Sequence, residues 1–341
     1  MFLNFFTFVK NLILLLDNHN RVINYLRLAV TDRCNLRCTY CMPENGLNWL
    51  ARKDLMSYEE MLRICSLLVD MGINKIRITG GEPFVRKDII LFISELAKLK
   101  GLEQINMTTN GVLTAPYISE FKRLKIKSCN LSLDTLDRER FFEITRRDEL
   151  LQVMETLEKL LFYGIETKIN AVVMENKNTD EIVKMVEMTK HLPISMRFIE
   201  EMPFNGAEND FSGIKWNSEK ILATIKEKYP TIEKTIDPPN ATAFNYRIPN
   251  HKGTIGIIAA YSRSFCGTCN RIRLTPDGGL KTCLYGDNIL NVKDLLRNSF
   301  LNKDIENELL RVFSARAKDG FEAEKMRDKS SAFASMATIG G

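Results

Sequence analysis

The chain has 341 residues, 45% of them hydrophobic, enough for one large domain with a smaller attachment. A net charge of +5 is too mild to indicate a nucleic-acid binder and suits a protein that holds a small polyanion. Eight cysteines against three histidines make thiolates the natural metal ligands, and six of the eight fall in two tight groups. That usage excludes a secreted disulfide scaffold and points to a reducing compartment, expected to be the cytoplasm.

Residues 1–16, MFLNFFTFVKNLILLL, are apolar but interrupted by Asn4, Lys10 and Asn11, and the run is short for a bilayer span. It lacks the basic leader and small-residue cleavage site of a secretory signal. Residues 1–22 are therefore expected to be a poorly ordered extension without function, and no membrane partner is expected.

From residue 23 to 215 one unit repeats: a β-rich run, a loop, then an amphipathic helix. The strand candidates are 25–31, 74–79, 104–109, 128–133, 167–174 and 195–200. Residues 57–71 read as a helix with a capping box, Ser57 and Glu60, stopped at Gly72. Apolar spacing predicts further helices over 88–99, 114–124, 149–163 and 179–191. Such alternation implies right-handed crossovers and a parallel sheet, open or barrel-like, with six units too few for an eight-stranded barrel.

The loop after the first strand carries Cys34, Cys38 and Cys41 as C-x3-C-x2-C. A zinc site closes with four ligands, so three crowded thiols without a nearby histidine fit zinc poorly. They fit an iron–sulfur cluster better and leave one iron without a protein ligand. Tyr40 adds an aromatic face beside them.

Strand two ends in Thr79-Gly80-Gly81-Glu82-Pro83, whose paired glycines allow a close backbone approach. Thr108 and Ser132 stand near the ends of strands three and four, on the side where a βα barrel builds its site. In 75–79 the side chains alternate, so Lys75, Arg77 and Thr79 share one face and Ile76 and Ile78 the other. Helices cover the outside, which turns the cations inward. Arg27 and Lys168 repeat the pattern, and together they predict a positively lined cavity for phosphates.

After residue 215 the pattern changes to a Pro-rich stretch at 233–250, with short strand candidates at 245–248 and 254–260. Cys266, Cys269 and Cys283 then supply three more thiols, beside Arg271-Ile272-Arg273. By spacing alone this group also fits a zinc knuckle with its fourth ligand elsewhere. Cys65 and Cys129 fall on apolar faces and read as core.

C-x3-C-x2-C with an aromatic before its last cysteine resembles the signature of radical S-adenosylmethionine (SAM) enzymes. The resemblance implies a partial (β/α)6 barrel, with a 4Fe–4S cluster on Cys34, Cys38 and Cys41 that binds SAM through its open iron. Electron transfer from that cluster would yield a 5′-deoxyadenosyl radical. Tyr40, Gly81, Ser132 and Met202 are the matched SAM-binding positions.

The second triad, Phe198-Ile199-Glu200-Glu201-Met202 and the terminal Gly340-Gly341 narrow the likeness. From about residue 20 onward the chain resembles the GTP 3′,8-cyclase family, which opens molybdenum cofactor biosynthesis. This likeness implies a second 4Fe–4S cluster, in a C-terminal domain over 216–326, that binds GTP. Arg27, Arg77, Thr108, Lys168, Arg271, Ile272 and Arg273 are the implied GTP contacts. No side chain is expected to act as a nucleophile; the radical arises at the cluster and the protein positions the reactants. The tail, 327–341, is expected to enter the barrel through Gly340 and Gly341.

A reductant such as flavodoxin or ferredoxin, a downstream cyclic pyranopterin monophosphate synthase, and a monomer or homodimer complete the implied setting. Two rivals are a peptide-modifying radical SAM maturase, a class usually richer in cysteine after the barrel, and a non-enzymatic metal-stabilised binding protein.

Overall fold

The computed structural model describes residues 6–9, 12–206, 211, 213–328 and 334–340. Fourteen strands are described: β1 (Phe6–Val9), β2 (Leu12–Leu15), β3 (Tyr25–Ala29), β4 (Lys75–Thr79), β5 (Gln104–Thr109), β6 (Ile126–Ser132) and β7 (Glu166–Val173) come first. They are followed by β8 (Ser195–Glu200), β9 (Glu233–Lys234), β10 (Phe244–Arg247), β11 (Thr254–Ile258), β12 (Arg271–Leu274), β13 (Gly279–Lys281) and β14 (Leu290–Asn291).

Twelve of them form one sheet, in the order β14-β13-β12-β3-β4-β5-β6-β7-β8-β11-β10-β9. Strands β3 to β8 are the six predicted units, paired in parallel and in sequence order. The C-terminal strands extend this sheet at both edges. β12 lies parallel to β3 and β11 parallel to β8. Arg27 of β3 and Arg197 of β8 nevertheless line one cavity with Arg271 of β12 and Ile258 of β11, so the sheet curls around it.

Side-chain alternation sorts the two faces. Leu26, Leu28, Ile76, Ile78, Ile105 and Met107 are buried with Ile64, Leu68 and Ile93 of the covering helices. Each such side chain removed from water contributes about 1.5–3 kcal/mol. The other face is polar: Arg77, Asn106 and Ser128 are buried there, and Ser128 Oγ donates to Asn106 Oδ1 at 2.8 Å.

The helix Tyr58–Asp70 starts with the predicted capping box, Glu60 N donating to Ser57 Oγ and Ser57 N to Glu60 Oε2. Residues 114–124 do not form the expected helix. Only a 3-10 turn, Ala115–Glu120, occurs there, because Pro116 lacks an N–H and β6 begins at Ile126. An unpredicted helix, Arg138–Thr145, packs beside the first cysteine loop.

The N-terminal segment also departs from expectation. β1 and β2 pair as a hairpin, Leu15 is fully buried, and Asp17 is 3% exposed. Arg316 draws Asp17 into the fold through an ion pair at 3.2 Å, a long-range contact invisible to a hydropathy reading. Among the described residues no helix is long and apolar enough to cross a membrane.

Candidate active site

Backbone contacts fasten the first cysteine loop to the strand ends. Val30 N donates to Thr79 O (2.9 Å), and Gly81 N to Thr31 O (2.8 Å). A Cβ on Gly81 would stand 2.2 Å from Arg33 O, and one on Gly80 2.5 Å from Thr31 O. Glycine at both positions is thus what lets the turn lie flat on the loop. Gly81→Ala is expected to cost about 1–3 kcal/mol by overpacking, read as a lower denaturation midpoint. From the other side, Arg37 N and Thr39 N donate to Thr145 O and Ile144 O, each at 2.9 Å.

Held this way, Cys34, Cys38 and Cys41 face a cavity of about 180 Å³ with Tyr40, Gly81, Ser132 and Met202. All three are free thiols. Burial pushes Cys34 up to about 12, helped by the Glu82 carboxylate, and raises Cys38 and Cys41 as well. Asn110 Nδ2 donates to Cys34 Sγ at 3.6 Å. Tyr40 OH donates to Asp134 Oδ2 at 2.9 Å; Asp134, buried, is raised to about 6.

Glu82 is fully buried and accepts from Asn110 N (2.7 Å) and Thr109 Oγ1 (2.8 Å), which ties the GGEP turn to β5. Among the described residues no three His, Cys, Asp or Glu side chains converge on a single metal ion. Three free cysteines of one loop facing one cavity fit a cluster that gives each thiolate its own iron.

A second cavity, also about 180 Å³, receives Cys266, Cys269 and Cys283. Among the described residues its lining carries seven arginines, Arg21, Arg27, Arg197, Arg263, Arg271, Arg273 and Arg316, against one carboxylate, Asp319. Asp17 pairs with Arg21 and Arg316, and Glu324 with Arg263, yet the lining stays strongly positive. Burial, then crowding by neighbouring cations, holds Arg273 and Arg197 down at about 10 and lowers Arg27 too. Among the described residues, Arg271 Nη2, Asn130 Oδ1 and Asn170 Oδ1 are buried without a hydrogen-bond partner, as expected of groups that await a polar ligand. Asn170, Ile199, Met202 and Met336 line both cavities, so the two adjoin.

The tail enters between them. Ser335 Oγ donates to Cys41 O (2.6 Å), Met336 N to Phe204 O (3.0 Å), and Arg273 Nη1 to Gly340 O (2.6 Å). Gly341 lies outside the described residues.

The expected SAM positions, Tyr40, Gly81, Ser132 and Met202, thus meet at the first triad. Arg27, Arg271 and Arg273 meet at the second. The other expected GTP residues stand elsewhere. Arg77 is 5% exposed and spends its donors on Tyr25 OH (2.6 Å) and Met107 O (2.7 Å). Thr108 lines the first cavity, and Lys168 Nζ pairs with Glu166 at 2.6 Å near the start of β7. The Ile272 side chain is fully buried in the outer core, because strand alternation turns it away from Arg271 and Arg273.

Sequence reasoning missed Arg197, although it stands between buried Met196 and Phe198 in the same alternation that revealed Arg27. Asn110 and Asp134 belong to the strand-end runs 108–111 and 130–134 that resemble family contacts, but no local pattern announces their approach to the cysteine loop.

The pattern of the Radical SAM superfamily matches residues 28–189, and that of Molybdenum Cofactor Synthesis C matches residues 194–321. The chain is 42% identical over 293 residues to GTP 3′,8-cyclase of Peptoclostridium acidaminophilum, which covers 85% of this chain and 89% of that one. It belongs to the GTP 3′,8-cyclase family. The protein of the same name from Syntrophomonas wolfei is 39% identical over 311 residues, covering 89% of this chain and 93% of that one. Molybdenum cofactor biosynthesis protein 1 of Bos taurus is 40% identical over 308 residues, or 88% of this chain and 47% of that one. The chain thus spans about half the length of such animal relatives.

Among solved structures, native anSMEcpe with bound AdoMet aligns with a TM-score of 0.56 at 17% identity, covering 92% of this chain and 94% of that one. Streptococcus suis SuiB aligns with a TM-score of 0.61 at 15% identity, covering 91% and 70%. Both likenesses establish the fold alone. Membership of the Radical SAM superfamily implies an iron–sulfur cluster and SAM.

Proposed function

We propose that this chain is a radical SAM lyase that converts GTP to (8S)-3′,8-cyclo-7,8-dihydroguanosine 5′-triphosphate, the first step of molybdenum cofactor biosynthesis. The observation that carries this reading is the pair of adjoining cavities, each with three free cysteines and the second crowded with arginine. In this reading Cys34, Cys38 and Cys41 hold one 4Fe–4S cluster and Cys266, Cys269 and Cys283 another. When bound, the first cluster and SAM supply the 5′-deoxyadenosyl radical that takes the 3′ hydrogen of GTP.

The chain's own residues do the positioning. Arg27, Arg271 and Arg273 neutralise the triphosphate, and Asn130 and Asn170 offer buried acceptors for polar groups of the substrate. Closure of C3′ onto C8 is intramolecular and needs no protein nucleophile, so orientation and exclusion of water are the main contributions. A flavodoxin or ferredoxin would deliver electrons, and a cyclic pyranopterin monophosphate synthase would consume the product.

Anaerobic iron and sulfide analysis with a GTP-turnover assay tests the reading; zinc-containing, colourless protein or turnover of a peptide instead would overturn it. Cys283→Ala is expected to keep SAM binding, lower the iron content and lose GTP turnover; unchanged iron would break the second triad. Arg271→Ala or Arg273→Ala removes charge-assisted bonds worth about 1.5–3 kcal/mol each. GTP affinity is therefore expected to drop about ten- to a hundredfold with SAM affinity kept, by equilibrium binding.

A further inference from the structure

A buried ion network links the N-terminal arm to the second cysteine triad. The Asp17 carboxylate accepts from His19 N (2.9 Å), Arg21 N (2.9 Å) and Arg21 Nε (2.6 Å), and pairs with Arg316 Nη1 at 3.2 Å. Arg316, 3% exposed, donates through Nη2 to Cys269 Sγ (3.2 Å) and Arg271 O (2.9 Å). Its Nη1 also reaches Cys269 O (2.9 Å), and its Nε reaches Thr282 O (3.2 Å), next to Cys283. A single planar guanidinium therefore spans both chain segments that carry Cys269 and Cys283. Arg21 clasps the same region, with Nη2 donating to Ala317 O at 2.7 Å and Nη1 to Lys318 O at 2.6 Å.

We propose that Arg316 and Asp17 are positioning residues for the second cluster. Arg316 donates an N–H to the sulfur of a cluster ligand, and Asp17 holds the guanidinium in that pose. The N-terminal arm thereby helps set the reduction potential of the cluster. This inference rests on the proposal that Cys266, Cys269 and Cys283 bind a cluster.

The physical reasons are independent of any sequence motif. Reduction adds negative charge to a cluster, so a cation that donates to a ligand sulfur favours the reduced state. Only arginine's planar fork can serve the sulfur, three carbonyls and a carboxylate together; lysine has a single point of donation. A buried arginine without a counter-charge is costly, and Asp17 offsets that cost at Nη1, which leaves Nη2 to the sulfur.

The test is an anaerobic redox titration followed by electron paramagnetic resonance. It uses the full chain with Cys34, Cys38 and Cys41 changed to alanine, so that only the second signal remains. Arg316→Met is expected to keep iron and sulfide but lower the midpoint, with the reduced-to-oxidised ratio at a fixed potential falling about tenfold, about 59 mV for one electron. Arg316→Lys should move it less, in the same direction. Asp17→Asn should shift the midpoint when Arg316 is present and leave it unmoved once Arg316 is methionine.

An unchanged midpoint in Arg316→Met overturns the proposal. If that variant loses its cluster, an unchanged midpoint in Arg316→Lys overturns it instead. Absence of the second signal before Arg316 is altered would refute the second-cluster reading itself.

Discussion

Cys38→Ala is expected to abolish reductive cleavage of SAM, with no 5′-deoxyadenosine formed after anaerobic reconstitution. Each thiol of the first triad is a sole supplier: among the described residues the cavity lining holds no fourth cysteine and no histidine to substitute. The fold should survive, because the loop is held by main-chain bonds that alanine keeps. Cys41 N and Met42 N both donate to the carbonyl of residue 38, at 3.0 and 2.9 Å. Circular dichroism should match the unaltered protein while the cluster absorbance falls. Deoxyadenosine at the unaltered level would remove Cys38 from the ligand set.

The second large effect is expected from the tail. Gly340 has φ of +77°, and a Cβ there would meet Thr79 Oγ1 at 2.4 Å and Ala29 Cβ at 3.0 Å. Gly340→Val adds a β-branched side chain where both the backbone and the space refuse it. Left-handed strain of about 1–2 kcal/mol and overpacking of about 1–3 kcal/mol together disfavour the seated tip by tenfold or more. Arg273 then loses the Gly340 carbonyl that receives its Nη1 hydrogen bond. GTP cyclisation is expected to fall at least tenfold, while iron content and SAM binding hold. Deletion of Gly340 and Gly341 should do the same, and a free peptide of the tail sequence should restore part of the activity. Full turnover by either variant would make the tail dispensable.

Much of this was legible because it is local. Cys34, Cys38 and Cys41 lie within one loop, so their spacing alone announces shared ligation. The side-chain alternation of a strand is equally local, which is why Arg27 and the outward isoleucines Ile76 and Ile78 can be assigned from the residue pattern. Alternation says which face a residue takes but not how far its head reaches. Arg77 and Lys168 share the inward face yet are engaged by Tyr25 and Glu166.

What tertiary structure alone decided are contacts between residues far apart in the chain. Ser335 meets the carbonyl of Cys41 across 294 positions, and Asp17 meets Arg316 across 299. The apolar composition of residues 1–16 suggests only a loose extension, whereas the next residues are drawn into the fold by a distant partner, Asp17 pairing with Arg316 near the other end of the chain. Periodicity encodes which face is buried; a single polar contact leaves no periodic trace. The sequence by itself therefore determined the parallel βα sheet, both cysteine triads and the cationic interior. The adjoining of the two cavities, the entry of Gly340 and the Asp17–Arg316 network came only when folding brought distant strand ends together.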